Sequence, residues 1–163
     1  MFQIGDKIVH PMHGAGVIDG MVTEKMAGAV ADYYVFKMPV GGLVLKIPVA
    51  SSETIGLRNI ITREEAQTLL KAISEMDVEM NSNWNHRYRE NMERLKSGNL
   101  YEVAHVIKGL TYRDTERMLS NGERKMLHTA KQILISELVL CTEQDSRAVE
   151  RQVYLAMVGE QAG

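Results

Sequence analysis

Ile60-Ile61-Thr62-Arg63-Glu64-Glu65 is the stretch on which the reading of this chain turns. Thr62 and Glu65 have the spacing of a capping box. In that motif the threonine hydroxyl accepts the third helical amide and the glutamate reaches back to the threonine amide. A helix is predicted to open here and run to about Met76. Upstream, the apolar runs are short or alternating: Lys7–Val9, Gly16–Val22, Tyr33–Met38, Leu43–Ile47 and Leu57–Ile60. Turn residues separate them, among them Pro11, Gly14, Gly28, Pro39, Gly41-Gly42, Pro48 and Gly56, which is the signature of strands. Gly41-Gly42 is expected to form a tight hairpin.

Downstream there is no proline, and apolar residues recur at three and four. Helices are predicted from Asn83 or Trp84 to Ser97, from Asn99 to about Leu110, from Ser120 to about Cys141, and from Asp145 or Ser146 to a stop at Gly159. The fold class is therefore α+β by segments. A small antiparallel β module over residues 1–60 precedes an all-α unit of about five helices over residues 61–163. Strands and helices in series rather than alternating argue for two units and against a βαβ enzyme fold.

The 163 residues carry a net charge of −2, which by itself disfavours a strong non-specific nucleic-acid binder. The distribution is uneven. Between Trp84 and Lys131 there are ten Lys and Arg against six Asp and Glu, so this third of the chain is +4 and the remainder −6. One basic face is expected. No apolar run is long enough to span a membrane. The N-terminus lacks a basic, then apolar, leader pattern, and Cys141 is the single cysteine, so a cytoplasmic location is expected.

Catalytic patterns are weak. His10 and His13 flank a turn without a third ligand cluster, so no metal site is expected. Gly14-Ala15-Gly16 precedes a strand rather than a helix and so lacks an anion cradle. Cys141 has no base beside it. Neither a cofactor nor enzyme activity is expected.

The segment Asn83-Trp84-Asn85-His86-Arg87-Tyr88-Arg89 stands out, with Met92 continuing its stripe. Helical spacing places Trp84, Arg87 and Tyr88 on one face. An indole beside guanidinium groups suits a wedge at a disturbed base step, with arginines on the phosphates. The same tryptophan could instead anchor packing between helices. Arg124 and Lys125 open the fourth of these helices, where cations oppose the helix dipole. They form either a solvated face or a site for an anionic partner. Lys46, inside Leu43-Val44-Leu45-Lys46-Ile47-Pro48, suits an edge strand, either as a guard or beside a partner's strand.

Three motifs in order carry a family resemblance. Phe2-Gln3-Ile4-Gly5-Asp6-Lys7-Ile8-Val9-His10-Pro11-Met12-His13-Gly14-Ala15-Gly16, Asn83-Trp84-Asn85-His86-Arg87-Tyr88 and Leu119-Ser120-Asn121-Gly122-Glu123-Arg124-Lys125-Met126-Leu127 resemble the CarD/CdnL family of bacterial transcription factors. The first domain of that family is shared with the transcription-repair coupling factor. The resemblance implies a Tudor-like β domain that binds the RNA polymerase β subunit, partly by strand pairing, through Lys25, Leu45, Lys46 and Ile47. It implies a helical domain on promoter DNA at the upstream edge of the −10 element, with Trp84 as a minor-groove wedge that stabilises the open complex. Met92 would be its apolar neighbour, and Arg87, Arg89, Arg124 and Lys125 would be backbone contacts. It implies no membrane or small-molecule partner, and a monomer when bound to polymerase. Two positions depart from the family pattern. Glu24 precedes Lys25 where some members carry a basic residue, and His86 replaces a common arginine.

Overall fold

A computed structural model describes residues 1–158. Five strands, β1 (Lys7–His10), β2 (Gly14–Met26), β3 (Ala29–Lys37), β4 (Val44–Pro48) and β5 (Arg58–Asn59), form one antiparallel sheet in the order β4-β3-β2-β1-β5. A short helix, α1 (Ser52–Ile55), lies between β4 and β5. Five helices follow: α2 (Arg63–Glu75), α3 (Trp84–Lys96), α4 (Leu100–Glu116), α5 (Asn121–Thr142) and α6 (Ser146–Val158). The expected fold class is the one observed. The expected stop at Gly159 lies outside the described residues.

The capping box forms as the sequence specifies. Thr62 Oγ1 accepts from the Glu65 amide at 3.1 Å, and the Thr62 amide donates to Glu65 Oε1 at 3.1 Å. Asn83, Asn99 and Ser120 cap α3, α4 and α5 through their side-chain oxygens. Two elements outrun their sequence signals. Strand β2 continues through the polar Thr23-Glu24-Lys25 and turns at Ala27 and Gly28, whose φ values of 52° and 83° match a two-residue hairpin. Helix α4 continues past Leu110 to Glu116. Gly109, inside α4, sits where a Cβ would meet Met80 Cε at 2.0 Å, so the linker before α3 packs directly on that helix. The turn at Gly41-Gly42 is wider than a two-residue hairpin, being closed by the Met38 amide on the Leu43 carbonyl at 2.9 Å.

There are two apolar cores. One gathers Ile8, Ile18, Tyr34, Phe36, Met38 and Ile47 within the sheet. The other is built on α4 and α5, with Ile107, Leu110, Leu134 and Leu138 fully buried. Each such side chain contributes about 1.5–3 kcal/mol. β1 and the start of β2 lie against α5, so this one helix touches both the sheet and its fellow helices. Among the described residues, no helix is long and apolar enough to cross a membrane.

Candidate nucleic-acid interface

Trp84 is the first residue of α3, and Asn83 caps that helix by accepting the His86 amide at 3.2 Å. The indole is not sealed in the core: it is 43% exposed. It stacks on Tyr88 four residues on, with centroids 5.0 Å apart and planes 17° from parallel. Its Nε1–H donates to Ser120 Oγ at 3.0 Å. Gly122 stands below the pair, where a Cβ would come within 3.3 Å of the Tyr88 ring and 3.9 Å of the indole. The ring is thus exposed and held at the same time.

The hold extends inward. Ser120 caps α5 by accepting the Glu123 amide, and its hydroxyl donates to Glu123 Oε1, each at 3.2 Å. Glu123 accepts Arg87 Nε at 2.7 Å and Nη2 at 3.3 Å. Arg87 Nη1 donates to the Asn81 and Ser82 carbonyls at 3.0 and 3.2 Å. Both members of this ion pair are 2% exposed. Burial alone would raise the Glu123 carboxyl pKa, but the Arg87 guanidinium and the Ser120 donors outweigh it and hold the group below the usual glutamate value.

This corrects the expected role of Arg87. Its guanidinium has no free donor face toward solvent, because a buried carboxylate across the helix pair competes for it and wins by geometry and low dielectric. Arg87 is a support for the indole, not a phosphate contact. Ser120 and Glu123, expected only as a helix cap, are its partners. The signal for this was the co-occurrence of the tryptophan segment and Leu119-Ser120-Asn121-Gly122-Glu123, which fold onto one another.

The other expected residues of this site are at the surface. Trp84, Asn85, Tyr88, Arg89, Met92, Glu93 and Lys96 line a shallow groove along α3. Met92 is half-buried in its floor, and Arg89 is exposed. Arg124 and Lys125 are exposed in the first turns of α5, beside the Ser120–Gly122 segment that holds the indole. Among the described residues, none of Arg89, Arg124 and Lys125 is in an ion pair.

In the β unit, β4 is an outer strand of the sheet, bonded to β3 alone. Lys46 is exposed and paired with Glu24 on one face of the sheet. Lys25 is exposed on the opposite face, by strand alternation. Leu45 is half-buried against the β core, and Ile47 is 3% exposed within it. The structure therefore does not gather the four expected polymerase residues into one side-chain patch. Lys25 and Lys46 expose their side chains, Leu45 does so in part, and Ile47 is a core residue that lies on the edge strand through its backbone.

His10 and His13 pack ring to ring at 4.5 Å, and His10 Nδ1 accepts the Met12 amide at 3.1 Å. Burial, helped by the neighbouring His13, lowers the His10 pKa to about 4. Cys141 is buried, and burial raises its thiol pKa. Among the described residues, no three His, Cys, Asp or Glu side chains converge on a possible metal position.

Comparison with known proteins agrees with the motifs. Residues 2–61 match the family model for the CarD-like/TRCF RID domain, and residues 68–154 match that for the CarD C-terminal domain. The chain is 32% identical over 138 residues to the "Putative transcription factor YdeB" of Bacillus subtilis (strain 168), covering 85% of this chain and 90% of that protein. With both halves matched in order and a relative aligned along nearly its whole length, the chain belongs to the CarD/CdnL family of transcription factors.

Proposed function

We propose that the protein docks on the RNA polymerase β subunit through residues 1–60 and sets Trp84 of the helical unit, residues 61–163, into promoter DNA at the upstream edge of the −10 element, stabilising the open complex. The observation that carries this reading is an indole both 43% exposed and fixed by a stack and a hydrogen bond. A ring already ordered loses little freedom on binding. Because its N–H is engaged by Ser120, the ring offers a stacking face, which suits unstacked bases of any sequence. Arg89, Arg124 and Lys125 flank it as candidate phosphate contacts, and Met92 supplies an apolar neighbour.

Arg89, Arg124 and Lys125, on a protein of net charge −2, bind DNA weakly by themselves. Docking on polymerase compensates by raising the local concentration of the helical unit at the promoter. The β4 edge supports a strand-pairing mode, with Lys46 beside it and Lys25 further along the β2–β3 ribbon. The wedge favours opening only by its preference for separated over paired strands, and about 1.4 kcal/mol of preference gives a tenfold shift.

A second reading, a protein-interaction adaptor without DNA contact, draws on Glu93, an acid in the same groove. Replacing Arg89, Arg124 and Lys125 together by glutamate separates the two. On the DNA-contact reading the variant still co-purifies with core polymerase but no longer stabilises open complexes. Wild-type stabilisation by the variant would favour the adaptor.

A further inference from the structure

Helix α5 buries two carboxylates, and each holds an arginine from a different element. Glu123 holds Arg87 of α3, as described. Glu137, fully buried, takes Arg58 of β5 with two prongs, Nη1 to Oε2 at 2.8 Å and Nη2 to Oε1 at 2.7 Å. The Ile61 amide donates to the same carboxylate at 2.9 Å. The two glutamates are fourteen residues apart, about 21 Å along a straight helix.

The Glu137 clamp sits in a wider seam. Ser136 Oγ, fully buried, accepts the Ala15 amide at 2.8 Å and donates to the Ile133 carbonyl at 3.1 Å. Lys7 Nζ donates to the Leu140 carbonyl at 3.3 Å. Gly14 approaches so closely that a Cβ there would lie 2.3 Å from Ser136 Oγ and 3.2 Å from the Gln132 carbonyl. Val9 and Ala15 are buried although neither belongs to either apolar core. Three strands, β1, β2 and β5, are thus fastened to one helix by directional polar bonds.

A seam of this kind specifies an orientation more than it adds stability, because a two-pronged pair on a buried carboxylate tolerates little rotation. A loose tether would need none of it. We propose that the Arg58–Glu137 clamp is a positioning device that fixes the β4 docking edge relative to Trp84, so that the protein acts as a rigid ruler between polymerase and DNA. This rests on the function proposed above, and it replaces a flexible tether with a fixed distance along α5.

The test uses the full chain carrying spin labels at two exposed sites, Ala29→Cys and Ala148→Cys, since the native Cys141 is buried. Arg58→Ala removes the clamp, and Gly14→Ala forces a methyl group into the seam at a second point. The ruler predicts a narrow inter-unit distance distribution in the parent and a broad one in both variants. It predicts retained co-purification with core polymerase and an open-complex lifetime shortened about tenfold, to the level of Trp84→Ala. Broad distances with a parental lifetime would overturn it, as would distances that stay narrow in both variants. Loss of polymerase binding by Arg58→Ala would also overturn it, by assigning the clamp to the docking unit's own fold. If Trp84→Ala behaves as the parent, the wedge reading fails separately, and the ruler is then judged on the distances alone.

Discussion

Arg87 and Glu123 form a buried ion pair beneath the Trp84 indole. Helical spacing placed Trp84, Arg87 and Tyr88 on one face, and they are on one face. Spacing does not say which flank of that face meets another helix. That was decided by Glu123, thirty-six residues away, whose carboxylate captures the guanidinium. Removing one partner of such a pair leaves the other charge buried and costs about 3–5 kcal/mol. Glu123→Gln is therefore expected to lower stability by about that amount in urea unfolding at neutral pH. The pH dependence follows from the sign of the shift. Glu123 is held below its ordinary value of 4.5, so its stabilisation is complete above that value and is lost as pH falls through the lowered folded-state value. The difference between parent and Glu123→Gln is expected to shrink on acidification below pH 4.5. A gap that stays constant down to strong acid would contradict the ion-pair account.

Among the elements, those marked by local chemistry were legible and those set by neighbours were not. The Thr62–Glu65 box, the Asn83 and Ser120 caps and the left-handed Gly98 mark four helix ends within a residue or two. Strand β2 beyond Val22 carries no sequence signal because its outer half is a two-stranded ribbon with little core contact, so no apolar alternation marks it. Helix α4 beyond Leu110 carries Thr111, Arg113 and Asp114, and solvated turns give no apolar period. The role of β4 as an edge strand was proposed from Lys46, and the sheet order makes it one. If that edge docks on polymerase, Lys46→Glu places a second acid beside Glu24 and meets the partner with the wrong charge. Affinity for core polymerase is expected to fall about tenfold, a loss of ~1.4 kcal/mol, in a direct binding titration, with an unchanged melting profile. Unaltered affinity would remove Lys46 from the docking surface.

The whole molecule is two apolar cores joined by a polar seam, and the seam was the least legible feature. Ser136 and Glu137 interrupt an apolar run, Ile133-Leu134-Ile135-Ser136-Glu137-Leu138, in the middle of α5. Polar residues in a helix buried on nearly all sides must find partners, and that was the available signal. Which partners, the sequence does not say, since Arg58 and Ala15 come from strands more than seventy residues away. Of the residues expected at the candidate interface, Trp84, Arg89 and Met92 lie along α3, Arg124 and Lys125 lie in the first turns of α5, and Arg87 is withdrawn into the interior.

For the whole molecule, the proposed function comes down to an anchored indole that favours separated promoter strands. The half-life of competitor-resistant open complexes, formed by polymerase with saturating parent protein or Trp84→Ala, tests this alongside co-purification with core polymerase. A half-life about tenfold shorter for Trp84→Ala, with equal polymerase binding, is expected. Equal half-lives at equal occupancy would contradict it.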